Sequence, residues 1–160
     1  MDLVTAAAAL ETSAFGVWMR TSPVAYPVAN LVHLLGLVLL IGGIGVVDLR
    51  LLGLGRKIPL AALSRFLTPL AVAGLVLMLA SGVMLFAADA GPLLRAPLFG
   101  WKVAVIGLAL VNALGFQLLW RGRIETRGQE APPPLARMMA ALSIGLWLTA
   151  ATLGRLLAYA

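Results

Sequence analysis

The segment "NLVHLLGLVLLIGGIGVVDLR", residues 30–50, carries the one histidine of the chain, His33, in surroundings that are otherwise oil. An imidazole can ligate a metal, carry a proton, or make a directional hydrogen bond between helices. Three more side chains with useful chemistry are Met84, Lys102 and Arg155: a soft thioether and two cations. At the far end of the same segment Asp48 adds a carboxylate. What these groups can do together depends on the elements that hold them.

Those elements belong in a bilayer. The chain has 160 residues, of which 62% are hydrophobic and 11% charged, where soluble domains carry roughly 25% charged residues. No small core hides that much apolar surface from water, so a membrane protein is expected. The absence of cysteine excludes disulfides, iron–sulfur clusters and thiolate metal sites. Four continuous apolar stretches, at about 28–47, 69–88, 98–120 and 135–157, match the roughly 20 helical residues needed to span. Helices are implied, because backbone polar groups have no other partner in hydrocarbon. Pro27, Pro69, Pro97 and Pro132 to Pro134 are read as marking span starts. Residues 1–22 are expected to lie in the interface as one amphipathic helix, with Asp2 as its cap and Trp18 near the headgroups. The expected fold is therefore all-α: a four-helix transmembrane bundle (23–160) with an N-terminal amphipathic interfacial helix. The connection 89–97 reads as a turn.

The net charge of +6 is distributed along the gaps, which favours lipid and topology over nucleic acid. Arg50, Arg56, Lys57, Arg65, Arg121, Arg123, Arg127 and Arg137 are eight of twelve basic residues and fall on one side. Arg20, Arg95, Lys102 and Arg155 fall on the other. The positive-inside rule then puts both termini on the periplasmic side of a bacterial inner membrane.

At about 1.5 Å per residue, His33, Met84, Lys102 and Arg155 come to similar depths near the outer ends of the four spans. Each has a plain structural role: hydrogen bonding between helices, snorkelling, or gap filling. Intramembrane ionisable groups grouped in one layer are nevertheless candidates for function. A neutral imidazole suits haem iron, methionine can supply the other axial position, and Lys102 and Arg155 can hold propionates. A five-coordinate haem, a His33–Met84 or His33–Lys102 pair, and a haem shared between subunits all fit the residues. Copper is the competing metal, but Met78 and Met84 are six residues apart and do not share a helix face. Ser64, Ser81 and Ser143 have no histidine–carboxylate pair at matching depth, which argues against a hydrolase.

Asp48 is expected to form a structural ion pair at the inner end with Arg50, Arg65 or Arg121. Asn112 reads as buried polar glue. Gly36 and Gly43, Ala109 and Ala113, and Ala141 and Gly145 read as small-residue packing faces.

The stretches "YPVANLVHLLGLVLLIGGIGVVDLRLLGLGR", "LTPLAVAGLVLMLASGVMLFAADA", "PLFGWKVAVIGLALVNALGFQ" and "GLWLTAATLGRLLAYA" together resemble a family of small four-helix bacterial inner-membrane proteins with no assigned activity. The likeness runs from about Trp18 to Tyr159. More distantly the chain is similar to copper-resistance D and membrane protoporphyrinogen oxidase (HemJ-type) proteins. The family's marks fall on His33, Asp48, Pro69, Lys102, Asn112 and Gly154-Arg155, and Gln117 stands where relatives often carry histidine. By resemblance to the HemJ-type proteins, haem would associate with His33. The expected function is haem b binding near the outer face, for electron transfer or haem-linked redox chemistry. The alternatives are a cofactor-free accessory or structural subunit of a membrane complex, and copper or small-solute transport. Expected partners are the lipid bilayer and other subunits, identical or not.

Overall fold

The computed structural model describes residues 3–126 and 132–159. Asp2 and the stretch 127–131 lie outside the described residues. Seven α-helices follow one another: α1 Leu3–Glu11, α2 Ala14–Thr21, α3 Ala25–Leu52, α4 Leu60–Ala88, α5 Ala90–Arg95, α6 Pro97–Thr126 and α7 Pro134–Leu156. A 3-10 turn, Leu157–Tyr159, closes the chain. Helices α3, α4, α6 and α7 are each long and apolar enough to cross a membrane, and with them the protein is a multi-pass integral membrane protein. Large apolar side chains point outward all along them: Val111 is 70% exposed and Leu118 78% exposed. That outward oil needs an apolar surrounding, which the lipid chains of a bilayer supply.

The interior is built from small residues. Helix α3 packs most extensively on α4, α6 on α7, and the two hairpins join along α3 and α7, while α4 and α6 barely touch. The α3–α4 seam is closest at two glycines. A Cβ on Gly36 would lie 2.7 Å from the Gly74 carbonyl oxygen, and one on Gly74 would lie 2.6 Å from the Gly36 carbonyl oxygen. Gly43 meets the Leu67 carbonyl in the same way, at 2.9 Å. In lipid, where burial gives little drive between helices, such close approach supplies the packing energy.

Three apolar clusters stack along the bundle. Met19, Ala25, Ala29 and Ala88, with Met84 and Leu85, fill the end that carries the termini. Leu40, Ala71, Ala109 and Trp147 fill the middle. Val47, Leu51, Leu60 and Ala140, with Phe116, fill the basic end.

Four sequence expectations are corrected. The N-terminal segment is two helices rather than one, broken where the Ser13 hydroxyl caps α2 by accepting from Gly16 N–H at 3.1 Å. This pair is docked on the bundle: Met19 is fully buried, and a Cβ on Gly16 would lie 2.8 Å from the Ala87 carbonyl oxygen. Pro69 does not begin a span. Helix α4 starts at Leu60, after Pro59, and Pro69 lies inside it; membrane helices tolerate this because packed neighbours support the broken hydrogen-bond ladder. The connection before α6 contains the short helix α5 rather than a plain turn. Lastly, Ala141 and Gly145 face outward, and the packed face of α7 is Ala136, Ala140, Ser143, Trp147 and Ala150.

Candidate functional site

His33 is held by the α3–α4 seam. Its Nδ1 lies 3.0 Å from the Ser81 Oγ, across from it on α4. The Ser81 hydroxyl in turn donates to the Leu77 carbonyl one turn back, at 2.6 Å. A hydroxyl has one proton, and here it is spent on Leu77, so Ser81 accepts from the imidazole. In the neutral ring the proton is then on Nδ1 and the lone pair on Nε2. This is how proteins orient a histidine for a metal or a proton, with a partner that fixes the other nitrogen. Gly82 sits against the ring, and a Cβ there would lie 3.4 Å from the His33 Cε1.

Lys102 stands early on α6 and reaches over α7. A Cβ on Gly154 would lie 3.1 Å from its Nζ and 3.3 Å from its Cε. The amine is close enough to act electrostatically on His33, which brings the two basic groups into one neighbourhood. The ion pair present among the described residues is Arg20–Glu11, and no carboxylate is paired with Lys102. The site is thus an imidazole with Nδ1 bonded to Ser81, near an amine that has no paired carboxylate among the described residues. Gly82 lets the imidazole, and Gly154 the Lys102 amine, lie close against the neighbouring helix.

The other two residues of the expected layer are elsewhere. Arg155 is exposed, hydrogen-bonded to the Tyr159 hydroxyl, with its guanidinium 4.8 Å from the centre of the Tyr159 ring. Met84 packs in the terminal cluster with Met19, Ala25, Ala29 and Ala88. Ser81 and Gly82 are the α4 residues seated against the imidazole. A seam this tight leaves no space for a porphyrin between α3 and α4, so a haem sandwiched between His33 and Met84 does not fit. Met78 and Met84 belong to different clusters, which gives copper no shared thioether site.

At the basic end Asp48 is buried, 4% exposed. Neither Arg50 nor Arg65 forms the ion pair expected of it. Arg50 donates from Nε to the Ile58 carbonyl at 2.8 Å and from Nη2 to the Arg56 carbonyl at 3.0 Å, closing the α3–α4 loop. Arg65 is exposed on α4 and makes no pair with Asp48. The Arg121 side chain lies outside the described residues. The polar side chain facing Asp48 is Ser143 on α7, and Oδ2 has no hydrogen-bond partner. One turn from Ser143, Asn112 of α6 donates to the Met139 carbonyl at 3.0 Å, the glue expected of it.

Sequence reasoning missed one further constellation, a polar knot at the terminal end. Glu11 accepts from Arg20 at 3.2 Å and from Gly91 N–H at 2.8 Å, while Arg20 also donates to the Ala88 carbonyl at 3.1 Å. These bonds tie α1 and α2 to the α4–α5 junction. Nine and eighty residues separate Glu11 from its partners, so no local pattern announced them.

No family model matches the chain, and no match to it was found among curated proteins or solved structures.

Proposed function

We propose that the protein binds haem b in the terminal half of the bundle, with His33 as the axial ligand through Nε2, for electron transfer or haem-linked redox chemistry. The observation that carries this reading is the Ser81 relay, which occupies Nδ1 and leaves Nε2 with its lone pair. His33 would be the residue that holds the haem, without Met84, because the α3–α4 seam beside the imidazole is closely packed. When bound, the haem iron supplies one-electron chemistry. The protein's own contribution is to fix the imidazole tautomer and to set a cation, Lys102, where a propionate needs one. Arg155 is turned toward Tyr159 and would reach a propionate only by leaving it. The resemblance noted in the sequence supports the same residue, His33, and a bacterial inner membrane, and the asymmetry of Lys and Arg between the two ends supports periplasmic termini.

The test is an absorption spectrum of protein purified from cells supplied with haem. A Soret band that His33→Ala abolishes or strongly shifts, with the helical fold retained, supports the reading. Absence of Soret absorbance in the wild-type protein overturns it. A second reading has its own observation: the His33–Ser81 hydrogen bond is itself a link between helices, as expected of a cofactor-free structural subunit. Under that reading His33→Ala lowers stability and leaves no spectral trace to lose.

A further inference from the structure

The carboxyl at the other end of α3 has no role in the haem reading. Asp48 is 4% exposed, and its Oδ2 lacks a partner among the described residues. Val47, Leu51, Leu60 and Ala140 form an apolar cluster at its level. Ser143 presents a hydroxyl from α7. Charged groups on the elements packed here are turned to other work. Arg50 on α3 bonds two loop carbonyls, while Arg65 on α4 and Arg137 on α7 are exposed; the side chain of Arg121 on α6 lies outside the described residues.

A carboxylate anion in such a place is shielded from water and has no counter-ion among the described residues, which disfavours the charged form. Two species relieve it: a bound cation or a proton. A metal cation of the hard, oxygen-seeking type takes about six oxygen ligands, and the side chains here offer those of Asp48 and Ser143. A proton needs only one acceptor for the acid's O–H, and the Ser143 oxygen is positioned to be that acceptor. We propose that Asp48 is a proton-binding site of the bundle, exchanging its proton with water at the basic end. The exchange is simple: the carboxylate takes up one proton to become the neutral acid, and releases the same proton. The route is short, since Asp48 stands four residues, about 6 Å, before Leu52 at the end of α3. This inference stands apart from haem binding, and neither test below reads haem.

Dicyclohexylcarbodiimide reads the site directly, because it adds to protonated carboxyls in apolar surroundings and leaves a stable N-acylurea. Wild-type protein in liposomes is labelled across a pH series, digested, and the adduct located by mass spectrometry. The expected result is an adduct at Asp48 that declines with rising pH with the slope of a single proton and is unchanged by added sodium. Asp48→Asn removes the adduct while Glu11 and Asp89 stay unlabelled. The wild-type pH series alone decides the matter if that variant folds poorly. No adduct at Asp48 in acid, an adduct independent of pH, or protection by sodium at fixed pH would each overturn the proposal.

Discussion

His33 and Asp48 lie on one helix, fifteen residues apart (48 minus 33) or roughly 22 Å along the axis, and they are treated in opposite ways. The histidine has its proton assigned: Nδ1 is bonded to Ser81, and Ser81 is bonded to Leu77. The aspartate has an oxygen left over. One end of α3 therefore carries a fixed donor near an amine, and the other a buried carboxyl with one oxygen unbonded. The lesson is that depth in a membrane does not define a polar group's role. What defines it is how many of its hydrogen-bonding positions the neighbouring helices fill.

The largest expected effect concerns which side of the membrane each end faces. A reporter fused after Tyr159 should be active only in the periplasm, with a tag at Arg56 accessible only from the cytoplasm, following the basic asymmetry. Cytoplasmic activity of the first fusion would reverse the comparison, putting His33 and Lys102 at the inner face. Next in size is Gly74→Val. Its Cβ would start 2.6 Å from the Gly36 carbonyl oxygen and the Leu40 nitrogen, backbone atoms that cannot move aside. We expect a loss of about 3 kcal/mol or more, read as loss of folded protein on size-exclusion chromatography. A normally folded variant would mean that the seam holding both sites is looser than described.

A matched pair of substitutions sharpens the contrast between the two ends. Ser81→Ala removes the partner of His33 and should cost about 1 kcal/mol in reversible unfolding, while releasing the imidazole tautomer. Asp48→Leu keeps the branched shape and removes a buried oxygen with no partner but adds the bulk of two methyl groups, so its cost should stay below about 3 kcal/mol. Loss of about 3–5 kcal/mol at Asp48 is what breaking a buried ion pair would produce. Measuring it would show that an arginine reaches the carboxyl after all.

How far the sequence foretold this contrast can be told residue by residue. The four spans were legible because runs of apolar residues need no knowledge of rotation, only of length. Gly36 and Gly43 were legible too, and both face α4. Ala141 and Gly145 were read the same way and face outward, since small residues occur on every side of α7 and composition does not reveal which side is packed. The depths of His33 and Lys102 could be counted from the span ends. Their partners could not, because Ser81 and Gly154 meet them only through the relative rotation of α3, α4, α6 and α7. Pro69 misled for a different reason: proline is a start signal in water, but a supported membrane helix absorbs it. Arg50, Arg65 and Arg121 are matched to Asp48 by level alone, and level does not show that Arg50 bonds the loop carbonyls of Arg56 and Ile58 instead.

The smallest effect tests whether the terminal end is coupled to anything beyond itself. Glu11→Gln keeps an acceptor for Gly91 N–H and removes the charge that holds Arg20. That pair is partly open to solvent, with side chains 43% and 25% exposed, so its stability contribution is below about 1 kcal/mol. The unfolding midpoint should therefore hardly move. Local opening is another matter, because α1 is joined to α2 through an exposed Thr12 and this knot ties it by hydrogen bonds to the α4–α5 junction. Hydrogen exchange over residues 3–21 should rise several-fold, and more so at low salt, where the lost attraction is least screened in the wild type. Exchange at α3 around Asp48 should stay unchanged, and so should carbodiimide labelling there. If labelling at Asp48 changed with Glu11→Gln, the two ends of α3 would be communicating through the seam, and the independence assigned to them here would fail.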